Sequence, residues 1–234
     1  MNTYDNRISV VLAVEDASIR MSLGYLFSVV LEYDFKATSI LEDAASLLRP
    51  SGSGRVLIIS GDQDKSLELV RKVAKTDTPP VIVVLDHLSD GQFGAQSFRA
   101  GATDVVRPPF ALKEMAYRIQ LRVDEMPALE EFSQERVNWD AEAYVANEAQ
   151  LTTAEAQVAR ILIRHDGEIV SRDDLSYQID QRPWKYGDRK FDVHVAKIRK
   201  KFQAAFGAKI EVETVRSAGY KLTFLEDGLS SGVH

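Results

Sequence analysis

Arg189 to Phe202 reads RKFDVHVAKIRKKF, and two faces separate along it at helical spacing. Phe191, Val195, Ile198 and Phe202 recur at i, i+4, i+7 and i+11, one apolar stripe that a helix turns toward a core. The opposite face carries Arg189, Lys190, Val193, Lys197 and Lys200/Lys201, with Arg199 at its flank. Between Arg182 and Lys201 eight Lys and Arg stand against Asp188 and Asp192, net +6, although the whole 234-residue chain carries −6. Such a face is either a solvated helix surface or one that meets phosphate. Val193 amid these cations is odd for a solvated face and sensible for contact with a thymine methyl in the major groove.

The segments on either side complete a small fold. Upstream, LTTAEAQVARILIRH opens with Thr152 and Glu155 at capping-box spacing, where hydroxyl and carboxylate satisfy each other's backbone N–H groups. SRDDLSYQI opens with Ser171 and Asp174 at the same spacing, and Gly167 between the two segments suits a helix stop. Val137 to Gln150 reads as short alternating segments, which predict a small antiparallel sheet. Downstream, IEVETVRSAGYKLTF predicts a strand-turn-strand with Gly219 in a tight hairpin. A third helix from about Arg189 to Phe206 between these parts gives three helices and a hairpin, an α+β winged helix-turn-helix.

The first half follows another rule. Short apolar runs at Ile8–Val14, Phe35–Ile40, Val56–Ile59, Val81–Leu85 and Asp104–Val106 leave room for a helix between each pair. VVLAV and VIVVL are apolar on both faces, as central strands of a covered parallel sheet must be. Amphipathic spacing fills the gaps: Ile19, Leu23, Leu26, Phe27, Val30 and Leu31, then Leu67, Val70 and Val73, then Leu112, Met115, Ile119 and Leu121/Arg122. Right-handed βα units of this kind build a doubly wound, flavodoxin-like sheet of five parallel strands, with any ligand at the carboxyl ends of the strands. Glu15-Asp16, Ser60-Gly61-Asp62 and Arg107-Pro108-Pro109-Phe110 fall at those ends.

Composition sets the outer limits. Hydrophobic residues make 45% and charged residues 27% of the chain, ordinary for a globular protein. The longest apolar runs have five residues, Val10–Val14 and Val81–Leu85, far from the roughly 18 that a membrane span needs. MNTYDNRISV lacks the basic start and long apolar core of a signal peptide, so a cytoplasmic location is expected. With no cysteine there is no disulfide, thiolate nucleophile or thiolate metal site, and four scattered histidines predict no metal centre. G-x-G-x-x-G and G-x-x-x-x-G-K-[ST] are both absent, and no cofactor and no catalytic residues are expected.

Several segments resemble one known family. VLAVEDASIRMSL and GATDVVRPPF are similar to the opening and closing motifs of a response-regulator receiver domain. LTTAE, IVSRDDL, RKFDVHVAKIRKKF and TVRSAGYKL resemble, in order, segments of the OmpR/PhoB-type effector domain. The resemblance divides the chain into a receiver-like dimerisation domain at 1–124, an acidic linker at 125–136, a winged-helix DNA-binding domain at 137–226 and a tail at 227–234. It implies a transcriptional regulator in the bacterial cytoplasm, at the nucleoid when bound, and double-stranded DNA as partner. Val193 and Lys197 match base-contacting positions; Arg189, Lys190 and Arg199 match phosphate contacts. His194, Lys200 and Thr214 fall on the same face, with His194 a packing or phosphate-contact residue. Arg216 matches the wing arginine that enters the minor groove, and Tyr220 is expected to pack the wing onto the third helix. The loop holding Trp184 and Tyr186 matches one that touches RNA polymerase in the family, and head-to-tail dimers imply direct-repeat half-sites. Asp104, Glu114 and Arg118 match residues of the receiver dimer face.

The receiver's phosphorylation pocket does not carry over. Glu15 and Asp16 match the acidic pair that holds Mg²⁺ in the family, but Ser60 stands at the phosphoacceptor, Leu85 at the switch Thr (Asp86 if the alignment slides by one) and Pro108 at the Lys. Without an acceptor carboxylate no acyl phosphate forms, and two carboxylates alone are a poor Mg²⁺ site. A pseudo-receiver that dimerises without phosphorylation is the expectation; the alternative is a phospho-switched regulator using a displaced acceptor such as Asp62. The Pro108–Pro109 bond is a candidate for the cis form.

Overall fold

The computed structural model describes residues 8–48, 54–87, 92–123 and 138–225. Contacts divide the chain into two units, Met1–Glu135 and Arg136–His234. The expected linker 125–136 and tail 227–234 lie outside the described residues.

The first unit alternates strand and helix: β1 (Ser9–Ala13), α1 (Ala17–Tyr25), β2 (Asp34–Thr38), a short α2 (Ala44–Leu47), β3 (Arg55–Ile59), α3 (Gln63–Ala74), β4 (Val81–Leu85), α4 (Gln92–Ala100), β5 (Asp104–Val106) and α5 (Leu112–Val123). Strand order is β2-β1-β3-β4-β5, with every pair parallel. β1 and β3 are buried at every position, which explains their apolar reading on both faces. Val11, Ala13, Leu57, Ile59, Ile82 and Val84 pack with Leu67, Val70, Val73 and Phe93 of α3 and α4. The alternating residues Val10, Leu12, Val56, Ile58 and Val83 are equally buried, so the sheet is covered on its other side too. The second strand is shorter than the expected Phe35–Ile40: Thr38 Oγ1 accepts from Ile40 N at 3.0 Å, closing a turn that leaves Ile40 exposed.

The second unit contains α6 (Trp139–Glu148), α7 (Thr153–Arg164), β6 (Ile169–Val170), α8 (Arg172–Asp180), α9 (Lys190–Phe206), β7 (Ile210–Val215) and β8 (Gly219–Phe224). β6, β8 and β7 form an antiparallel sheet in that order. Both expected capping boxes are present: Thr152 with Glu155, and Ser171 with Asp174. The sheet expected over Val137–Gln150 is instead helix α6. Asn138 caps it by accepting from Ala141 N at 3.1 Å, and Asp140 and Glu142 sit in its first turn, where the helix dipole favours anions. Its buried residues are Trp139, Ala143, Val145 and Ala146, together with Glu142, which Arg164 holds at 2.8 Å. The stripe Phe191, Val195, Ile198 and Phe202 forms the centre of this unit's core, against Val158 and Leu162 of α7, Val170 and Leu175, and Val212, Tyr220 and Leu222 of the sheet.

Candidate nucleic-acid interface

Burying the apolar stripe of α9 leaves its opposite face in solvent. Val193 is 51% exposed, and Arg189, Lys197 and Lys200 are exposed as well. Val193 and Lys197 are one turn apart and share a face. Arg189 stands at the N-cap position, where unpaired helix amides also favour an anion. The hairpin turn between β7 and β8 presents exposed Arg216, with Ser217 at φ 60°.

Other basic residues of the same segment are engaged within the unit. Lys190 Nζ donates to Asp180 Oδ1 at 2.5 Å. Lys201 Nζ donates to Glu155 Oε2 at 2.6 Å and to the Gln150 carbonyl at 2.8 Å, joining α9 to the start of α7. Arg199, expected as an outward phosphate contact, reaches the hairpin instead: Nε donates to Val212 O at 2.6 Å and Nη2 to Thr214 Oγ1 at 2.9 Å. Its direction is set by the carbonyl row that β7 brings alongside α9, which residue spacing within the helix does not reveal. His194 is half-buried, and its Nδ1 has no hydrogen-bond partner among the described residues. Burial lowers its pKa, and Lys190 and Lys197 lower it further, so the ring stays neutral at neutral pH.

In the loop before α9, Trp184 packs against the core. Its backbone N–H donates to Asp173 Oδ1 at 2.9 Å, and Nε1 donates to the Asp188 carbonyl at 3.1 Å. Tyr186 is 98% exposed, edge-on to Trp184 at 6.1 Å. Of the two aromatic residues, Tyr186 is the one open to a partner.

Among the described residues of this unit, Glu155, Asp174 and Asp192 lie below their ordinary pKa. Burial raises Glu155, but the Lys201 ammonium and the Thr152 N–H outweigh it. The Ser171 hydroxyl and N–H lower Asp174. For Asp192 burial again acts upward and is outweighed by Tyr220 and Arg172. A depressed carboxylate contributes stability that is full above its unfolded value and is lost as pH falls through its folded one. The unit's melting midpoint is therefore expected to hold from neutrality to about pH 5 and to fall steeply below about pH 4. Glu155→Gln should flatten that fall; a midpoint indifferent to acid contradicts the assignment.

At the carboxyl rim of the parallel sheet, Glu15 and Asp16 are exposed. Asp16 Oδ1 caps α1 by accepting from Ile19 N at 3.0 Å, and Arg20 Nη1 donates to the Val14 and Glu15 carbonyls. Asp62 is likewise a cap, accepting from Lys65 N at 3.0 Å at the start of α3, while Lys65 Nζ pairs with Glu42 at 2.9 Å. Ser60 follows β3 and is buried, and Leu85 closes β4 inside the core. Asp86, the next residue, is buried and paired with Arg107, whose Nη2 lies 3.0 Å and Nε 3.1 Å from Oδ2. Gly94 makes room for this pair: a Cβ there would stand 3.1 Å from Arg107 Nη2 and 3.4 Å from Asp86 Oδ2. The pair escaped the sequence reading, because only adjacent strand ends bring residues 86 and 107 together. The Pro108–Pro109 bond is cis. On the expected dimer face, Arg118 binds Asp104 at 3.0 Å and Glu114 at 2.8 Å within one chain, and Arg122 also holds Asp104 at 3.0 Å.

A five-stranded parallel sheet of this order, its acidic turn after β1, and a second unit built as a winged helix define a receiver-and-effector architecture. Residues 146–222 match the family model described as "Transcriptional regulatory protein, C terminal". The chain is 24% identical over 212 residues to the regulatory protein VirG of Agrobacterium tumefaciens, spanning 82% of this chain and 79% of that one. It is 28% identical over 170 residues to the transcriptional regulatory protein PhoP of Escherichia coli, spanning 68% and 73%. Among solved structures, an orphan response regulator of H. pylori aligns with half of this chain (50%) and 96% of its own, at 19% identity and a TM-score of 0.44. The second unit is thus similar to the C-terminal domain of transcriptional regulatory proteins, and the chain to response regulators of the OmpR/PhoB type.

Proposed function

We propose that this regulator binds specific DNA sites through α9 and the hairpin turn, and that it dimerises and binds without phosphorylation. The rim of the parallel sheet carries this reading. The serine after β3 cannot form an acyl phosphate, Pro108 supplies no ammonium, and the buried carboxylate beside them, Asp86, is already neutralised by Arg107. The alternative acceptor Asp62 has its carboxylate engaged as the α3 cap. The name of the PhoP relative, a transcriptional regulatory protein, supports regulation of transcription.

In this reading Val193 and Lys197 contact base edges. Arg189, Lys200 and, by exchanging Asp180 for phosphate, Lys190 meet the backbone, with His194 packing beside them. Arg216 enters the minor groove, attracted by its negative potential. Tyr186, steadied by Trp184, is the candidate anchor for RNA polymerase. The receiver unit pairs with a second copy through α4, β5 and α5, where Phe98 and Leu121 are 52% and 64% exposed. Since Arg118 binds Asp104 and Glu114 within its own chain, apolar contact carries most of that association. Two effector units then occupy direct repeats about one helical turn apart. The protein works in the bacterial cytoplasm, at the nucleoid when bound; no described helix is long and apolar enough to cross a membrane.

Light scattering on the full chain at micromolar concentration tests the phosphorylation-independent dimer. A dimer is expected before and after beryllofluoride treatment, and Ser60→Ala should leave it unchanged. A monomer that dimerises only on treatment contradicts the proposal.

A further inference from the structure

The hairpin is fastened to α9 at two places. Near the start of the helix, Asp192 Oδ1 accepts from Tyr220 Oη at 2.6 Å and from Arg172 Nη2 at 2.6 Å. The Arg172 guanidinium also lies 4.7 Å over the Tyr220 ring. Further along, Arg199 holds the Val212 carbonyl and the Thr214 hydroxyl. Asp192 and Arg199 are seven residues apart, two turns of helix, and so lie on one face. Thr214 and Tyr220 are cross-strand partners, one rung below the Val215–Gly219 pair that closes the turn. Two anchors on one helix face thus grip the same rung from both strands.

We propose that Asp192 and Arg199 are positioning residues, acting through Tyr220 and Thr214, that hold Arg216 at a fixed offset from Val193 and Lys197. The major-groove and minor-groove contacts are then read in a single register. This rests on the reading of α9 and the turn as the DNA-contacting surface, and adds a specificity to it: the distance between base contacts and the A·T-rich minor groove. A two-stranded ribbon held only at its base swings, follows the groove wherever it lies, and loses ordering entropy on binding. A ribbon bolted next to its turn does neither. Tyr220 itself is fully buried, so its hydroxyl needs the Asp192 acceptor to avoid an unpaired buried donor. Arg199, with two donors committed to the hairpin, acts on DNA through the wing.

The test uses the full chain with a selected site and variants of it that carry one base pair more or fewer between the major-groove core and the A·T tract. The unaltered protein should lose about tenfold in affinity on a respaced site, the scale of one mismatched contact. Thr214→Val and Tyr220→Phe each remove one hydrogen-bonding group at nearly constant size. Each should shrink the respacing loss to about twofold while leaving base preference in the core intact. Thr214→Ser, which keeps the hydroxyl, should restore the full loss. Retention of the tenfold loss by both altered proteins overturns the proposal. Amide hydrogen exchange of the free protein separates this from failure of the DNA reading. Thr214→Val should speed exchange at the Ala218 amide by about tenfold with the α9 amides unchanged. An unchanged Ala218 amide also overturns the clamp, whatever the protein binds.

Discussion

Gly219→Ala is expected to destabilise the winged-helix unit by about 3–5 kcal/mol, since backbone strain and overpacking act at the same atom. Gly219 lies at φ 154°, and an added Cβ would overlap the Val170 carbonyl oxygen and stand 2.8 Å from Ser171 Cα. Both neighbours are backbone, so no side-chain rotation relieves the clash. β6 would have to leave β8, breaking the Val170–Tyr220 pairing and moving Tyr220 out of the core. Thermal melting of the full chain should show the transition of this unit lowered by more than about 10 °C. A shift of only a few degrees would mean that β6 yields easily and that the wing is not locked from that side.

The second large effect concerns binding. Lys197→Ala should cost about 1–3 kcal/mol on the preferred site and relax selectivity at one or two base pairs. The side chain is exposed, has no partner among the described residues, and shares its face with Val193, so nothing inside the unit compensates for its loss. Arg189→Ala should weaken binding to all sequences alike and reduce the salt dependence by about one ion. Lys190→Ala should change the salt dependence less, because its ammonium is already held by Asp180 at 2.5 Å and must exchange one anion for another. Binding isotherms at several salt concentrations, on preferred and scrambled sites, separate these outcomes. Identical, sequence-blind losses for Lys197→Ala and Arg189→Ala contradict the division of roles on α9.

Local rules made much of the architecture readable in the sequence. The five parallel strands, both capping boxes and the buried stripe of α9 rest on periodicity and on contacts three or four residues apart. The missed helix α6 mixes a carboxylate into its buried apolar face. It buries Trp139, Val145 and two alanines alongside Glu142, and the better signal was the Asn138 cap followed by Asp140 and Glu142. Asp86–Arg107 and Arg199–Thr214 were illegible for another reason, since each joins residues that only the folded sheet or hairpin brings together. Arg199 in particular has the sequence context of a phosphate contact and the geometry of a strut. Trp184 and Tyr186 look alike in a polar loop, and only packing separates the half-buried Trp184 from the exposed Tyr186.

The most direct test of the account is selection of bound fragments from genomic DNA by the unmodified full-length protein, run in parallel with and without a phosphodonor. The account predicts the same enriched motif in both arms: two direct repeats about one helical turn apart, each flanked by an A·T-rich step where Arg216 enters. Enrichment that appears only with the phosphodonor, or no enrichment in either arm, would contradict it.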